Sequence, residues 1–251
     1  MNTADFQAQN PYATFGTVAA HAPADARVAF IKRTYWHLAL AIYALVGIVF
    51  CLFQIPGLDN IMGAVFATRW GWLLVLGAFI LVGNLAERWA QSATSIKTQY
   101  LGLITYVVAQ AVILMPLLWI ANKFTTDLGG GVQASPILVA GVLTLLLFGG
   151  LTAAVLLTKQ DFSFLAPALS IAGLVALGLI VLSALGIMNL GIIFMAAMVV
   201  FASGYTLYYT SQVLHHYRTD QHVAASLALF ASVTLMFWYI LQIVLRFSSD
   251  D

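Results

Sequence analysis

Seven apolar runs, separated by short polar or helix-breaking segments, set the frame of this chain. The first follows Arg27, Lys32 and Arg33 and continues to Phe53, with Tyr35 and Trp36 at the depth of a membrane interface. Residues 54–59 hold Pro56 and Gly57, both helix breakers, so they read as a turn. The apolar piece over 60–69 is short enough to be a re-entrant segment or the start of the next span. Residues 70–86 form the second run, with Trp70 and Trp72 as interface anchors. Residues 100–121 form the third, interrupted by Gln110 and Pro116. A flexible loop over 122–135 carries Gly129, Gly130 and Gly131. Pro136 suits the first turn of a fourth helix over 136–157, where its missing N–H is not needed.

The polar connection 158–164 places Asp161 to cap the helix that follows. From Phe162 to Tyr217, 56 residues contain no Lys, Arg, Asp or Glu. That length exceeds one span of about 20 residues, so it divides at 186–189 into runs over 164–185 and 190–213. The seventh run covers 223–245. The period and length of these runs predict an all-α transmembrane seven-helix bundle over 27–246. A polar tail over 1–26 reads as disordered, because it lacks the apolar residues that would hold it. A short C-terminal tail covers 247–251.

Composition fits a lipid solvent. Of 251 residues, 62% are hydrophobic and only 8% charged, and mean hydropathy is +0.96. A soluble domain carries about 25% charged residues. The net charge of +1 leaves no basic footprint for nucleic acid. The single Cys51 excludes an internal disulfide and reads as a small packing residue. Arg27, Lys32, Arg33, Arg88, Lys97, Lys159 and Arg218 fall on one side of the bundle, and Arg69, Lys123 and Arg246 on the other. Seven against three predicts a cytoplasmic N-terminus and a C-terminus on the outer side. Ala168, Ala172 and Ala176, and Gly141 with Gly149, form small-residue faces expected to be helix contacts.

Chemistry is sparse. No ionisable residue lies near a span centre, where each costs about 2.5–3.5 kcal/mol. Glu87 and Arg88 end the second span, and His37 lies one turn inside the first. No nucleophile with a base, phosphate loop or zinc signature appears, so a non-enzyme without a cofactor is expected. Ser203, Thr206 and Thr210 share one face of the sixth span as a polar seam, with Tyr205 and Tyr209 beside it and Ser232 on the seventh. The seam is either interhelical glue or a narrow polar path. His215, His216 and His222 flank one turn and are candidates for pH sensing.

Three stretches carry a family likeness: Thr158-Lys-Gln-Asp-Phe-Ser-Phe-Leu165, Ser203-Gly-x-x-Leu-x-x-Thr-Ser-x-x-x-His215, and the Thr219-Asp220 turn before an Ala-Leu-rich last span. Together, by order and spacing, they resemble the Bax inhibitor-1 family of integral membrane proteins, and within it the bacterial subgroup of membrane-protease modulators. The resemblance implies six helices around a central seventh, residence in the bacterial inner membrane, and two alternative roles. One is restraint of a membrane-anchored AAA protease and its associated complex in membrane-protein quality control and stress response. The other is a pH-sensitive calcium leak through two buried carboxylates, one on each of the last two spans. By position, Tyr209 and Ser232 stand where those acids would be. The subgroup keeps Glu at the first position and a small hydroxyl at the second, so Ser232 fits it and Tyr209 fits neither pattern. A phenol with an ordinary pKa near 10 does not replace a carboxylate as a proton switch at neutral pH, which disfavours the leak.

Overall fold

A computed structural model describes residues 17–67, 69–92, 95–127 and 133–248. Eight helices occupy most of these: α1 (Ala24–Phe53), α2 (Leu58–Ala67), α3 (Arg69–Ala90), α4 (Ile96–Ala121), α5 (Pro136–Thr158), α6 (Ala166–Ala184), α7 (Ile192–His215) and α8 (His222–Ser248). All except the ten-residue α2 are long and apolar enough to cross a membrane. The protein is therefore an all-α membrane bundle with seven candidate spans among its described residues. Residue 68 lies outside the described residues, and the rest of the piece over 60–69 is helical. It belongs mostly to α2, set off from α1 by Gly57 at φ +77°.

The helix boundaries follow local chemistry. Pro136 opens α5, as its fixed φ and missing N–H allow. Lys159 closes α5 in the left-handed region at φ 54°, its N–H bonded to the Val155 carbonyl. Gly186, at φ 75°, ends α6 at the expected turn. Pro116 stays inside α4, where it removes one rung of the backbone ladder without ending the helix.

The last helix is the centre of the bundle. In α8, 61% of the apolar window is buried, against 11% in α1 and α3. α8 packs on α1, α3, α4, α5 and α7. It carries small or apolar buried side chains on every face, including Ala225, Leu229, Phe230, Val233, Met236 and Leu241. A helix apolar all round suits a core position. At one end of the bundle, the Trp119 indole N–H donates to Asp59 (2.9 Å) and Lys123 sits over the Trp119 ring. There too, a short antiparallel pair, β1 (Thr126–Asp127) with β2 (Gln133–Ala134), meets the end of α8 through Thr126 and Ser248 hydroxyls (2.8 Å). The glycines at 129–131 lie outside the described residues.

Four expectations need correction. The N-terminal segment is not disordered up to residue 26. Thr17 and Ala19 pair with the connection after α7, through Ala19 N–H to Tyr217 carbonyl (2.9 Å) and Thr219 N–H to Thr17 carbonyl (3.0 Å). A 3-10 turn over Ala19–His21 follows, and α1 starts at Ala24. These backbone bonds replace water for a segment with few apolar anchors. Residues 1–16 lie outside the described residues. At the other end, the helix runs through Phe247 and Ser248, which were expected in the C-terminal tail, and residues 249–251 lie outside the described residues.

The small-residue faces are helix contacts only at Ala176, which packs with Met198 and Tyr239. Ala168 and Ala172 are exposed, and Cβ atoms added at Gly141 or Gly149 would meet open space. Besides Ala176, α6 buries Leu169, which is pressed against Gly204. Cys51 is likewise exposed rather than packed.

Candidate functional site

α7 and α8 pack closely along their length and bring the seam together with Ser232. Ser232 is 2% exposed. Its Oγ donates to the Leu229 carbonyl (2.8 Å) and accepts from Thr206 (3.3 Å), whose hydroxyl also reaches the Ala202 carbonyl (3.1 Å). Serine and threonine satisfy themselves on their own helices first, and the bond between helices is the second, longer one. Tyr209 stacks on Tyr205, with ring centroids 5.5 Å apart and planes 17° apart, and its ring also meets Tyr208.

Tyr209 and Ser232 face one cavity of about 700 Å³, walled by α3, α4, α6, α7 and α8. Phe79, Leu117, Phe194 and Trp238 give it a mainly apolar wall. Among the described residues that line it, none is Asp, Glu, Lys, Arg or His. The structure thus brings Tyr209 and Ser232 to one space, but the residue bonded to Ser232 is Thr206.

The seam is not one continuous polar track. Ser203 turns back to the Val199 carbonyl (2.8 Å). Thr210 is fully buried, and its hydroxyl faces those of Tyr35 on α1 and Thr152 on α5, none of the three making a well-formed hydrogen bond. Of the three seam residues, only Thr206 links two helices.

The three histidines separate into two places. His215 and His216 end α7 and grip the connection between α5 and α6. His215 Nε2 donates to the Lys159 carbonyl (3.1 Å), and His216 Nε2 donates to Asp161 Oδ2 (3.1 Å) and contacts Ser163 Oγ (2.9 Å). Asp161 is the hub. Its Oδ1 accepts the Ser163 N–H (2.9 Å), the Ser163 hydroxyl (2.6 Å) and the Ser211 hydroxyl (3.1 Å). Ser211 in turn accepts the Phe162 N–H (2.8 Å). The Ser163 bonds above all, with smaller contributions from His216 and Ser211, hold the Asp161 carboxyl well below the usual carboxylate range. Asp161 accepts the Ser163 N–H from one residue before the N-cap of the 3-10 turn over Ser163–Leu165, and α6 itself, expected to be capped by Asp161, has no side-chain cap. The attachment of Asp161 to α7 through Ser211 was not visible in sequence, because it joins residues 50 positions apart.

His222 faces the other way, into the bundle, beside His37 of α1 and Tyr100 of α4. The two imidazole centroids are 5.0 Å apart. His37 Nδ1 lies 2.7 Å from the Arg33 carbonyl, which only accepts, so that nitrogen carries the proton in the neutral ring. His37 Nε2 then accepts from the Tyr100 hydroxyl (2.8 Å). The Tyr100 oxygen is left to accept from His222 Nε2 in a long contact (3.5 Å), and His222 Nδ1 is buried without a partner. A single pH-sensing turn of three histidines is thus not what the fold builds. The sequence signal for the inner pair was weak, since His37 and His222 sit 185 positions apart at the ends of two apolar runs.

With this geometry in place, comparison with known proteins adds two findings. A family profile described as inhibitor of apoptosis-promoting Bax1 matches residues 27–250. An uncharacterized protein of Pseudomonas aeruginosa is 32% identical over 124 residues, which is 49% of this chain and 54% of that protein. The chain thus spans about half the length of the curated relative it matches.

Proposed function

This chain belongs to the Bax inhibitor-1 family, and on that premise we propose that it is a non-enzymatic regulator of a membrane-anchored ATP-dependent AAA protease in the bacterial inner membrane. The observation that carries this reading is the chemistry around Tyr209 and Ser232. A carboxylate-gated leak needs two acids that compete for a proton, because close like charges cannot both ionise cheaply. The cavity that joins these positions has no acid among its described lining residues. A role in binding and restraint needs surfaces rather than titrating groups, so it survives the substitution.

The test is crosslinking and co-purification of tagged protein from native membranes. The regulator recovers an AAA protease, and removal of residues 2–16 changes the regulator's own half-life. The deletion stops at 16 because Thr17 and Ala19 are hydrogen-bonded into the bundle. No protease recovered, with an unchanged half-life, removes the reading.

A passive cation path is the second reading, favoured only by the size of the cavity. Flux in proteoliposomes that equals empty vesicles, before and after Ser232→Asp, eliminates it.

A further inference from the structure

The cavity beside Tyr209 and Ser232 has a property that neither partner binding nor ion passage uses. Gln110 of α4 and Tyr239 of α8 are 6% and 5% exposed, so both are more than nine-tenths buried. Both line the cavity, neither side chain makes a hydrogen bond to another described residue, and neither is among the polar groups sealed away without a partner, so their polar atoms stay accessible. An amide or phenol that opens onto a mainly apolar cavity with no protein partner is free to bond a polar group held there. Ser232 and Thr234, on the same wall, are already satisfied by α8 carbonyls. Gln110 and Tyr239 therefore offer free hydrogen-bonding capacity on this wall, beside Tyr106, Tyr205, Tyr209 and Gln242.

We propose that this cavity binds an uncharged lipid whose head carries carbonyl or hydroxyl oxygens. Three observations select that class. The described lining contains no charged side chain, so an ionic head would lose its hydration without a counter-charge. Most of the wall is apolar or aromatic, with Phe79, Leu117, Phe194 and Trp238 offering contact to a chain or ring rather than to water. The volume of about 700 Å³ falls within the range of about 300–1,000 Å³ typical of small-molecule sites. Gln110 presents both N–H donors and a carbonyl, and Tyr239 a hydroxyl that donates or accepts. Between them they match a carbonyl or hydroxyl head. That chemistry occurs in a monoacylglycerol and in the ring of an isoprenoid quinone. This inference does not depend on any protease partner.

The experiment uses the full chain, purified in detergent, with a diazirine-bearing monoacylglycerol as photo-probe and crosslinks mapped by mass spectrometry. Labelling saturates and maps to α4, α7 and α8 residues of the cavity wall. Unlabelled monoolein or decyl-ubiquinone competes, and the stronger competitor identifies the source of the head group. Anionic lysophosphatidylglycerol does not compete. Gln110→Leu and Tyr239→Phe each weaken the probe about fivefold, the scale of one hydrogen bond. Ala231→Trp fills the space and abolishes saturable labelling even if a polar variant fails to fold. Labelling that rises without saturation, spreads over exposed faces such as Leu146 and Leu174, or yields equally to the anionic lipid overturns the proposal. So does unchanged affinity in folded Gln110→Leu and Tyr239→Phe proteins.

Discussion

Asp161 shows how one side chain joins two distant segments. Four hydrogen bonds converge on its carboxylate, from Ser163 twice, Ser211 and His216. The side chain remains 47% exposed, so water takes over part of what a substitution removes. Asp161→Ala is therefore expected to cost only about 1 kcal/mol, the scale of a lost cap. The pH dependence has a definite sign. The folded carboxyl sits below its usual range, so its contribution is fully present above the unfolded pKa of about 3.9 and fades as pH falls through the lower folded value. Thermal unfolding of wild type and Asp161→Asn should thus differ at pH 5, and the difference should shrink below about pH 4. A difference that instead grows below about pH 4 would show that the carboxylate is not the stabilising form. Sequence alone marked Asp161 as an acceptor for a nearby backbone N–H, because its bond to Ser163 spans two residues, although it does not cap α6. The Ser211 bond spans 50, and no local pattern encodes it.

Between helices, the closest approach comes at a glycine that no repeat marks. A Cβ built on Gly102 of α4 would meet the Ala86 carbonyl and Ala90 N of α3. Both atoms are backbone and cannot swing away. Gly102→Ala should force α3 and α4 apart and lower stability by about 1–3 kcal/mol, the usual cost of overpacking. Gly141→Ala, with open space at its Cβ, should cost far less. Equal melting temperatures for the two variants would contradict this packing. The same scale decides Tyr100→Phe, which removes the hydroxyl between His37 and His222 and ties α1, α4 and α8 less firmly. A loss of about 1 kcal/mol follows, and it should be recovered in Tyr100→Phe proteins that also carry His37→Phe. Seven spans were legible because each crosses lipid and must be apolar over about 20 residues. Helix contacts were less legible, since a spacing of four identifies a face but not the neighbour that covers it. Ala168 and Ala172 have the spacing and no neighbour, whereas Gly102 has a neighbour and no partner glycine.

For the molecule as a whole, the central position of α8 follows from its composition, apolar on every side, and the bundle has two chemically distinct ends. At one end lie the start of α1, the end of α3, the start of α4, the Asp161 knot and the turn into α8. Arg27, Lys32, Arg33, Arg88, Lys97, Lys159 and Arg218 are all found there. The other end holds Lys123 and Arg246, near the β1–β2 pair. Cationic residues are retained on the cytoplasmic side during insertion, so the knot end is expected to face the cytoplasm. Orientation also bears on the proposed partner, since an ATP-dependent motor works only where ATP is supplied. Cys51 is exposed and the only cysteine, so Cys51→Ser provides a clean background. On that background, Lys123→Cys should react with a membrane-impermeant maleimide on intact spheroplasts. Lys159→Cys should react only after permeabilisation. The reverse labelling would turn the bundle over and place the Asp161 knot and the docked Thr17–Ala19 segment on the side without ATP. It would then remove the protease reading along with the orientation, while leaving the cavity at Gln110 and Tyr239 untouched.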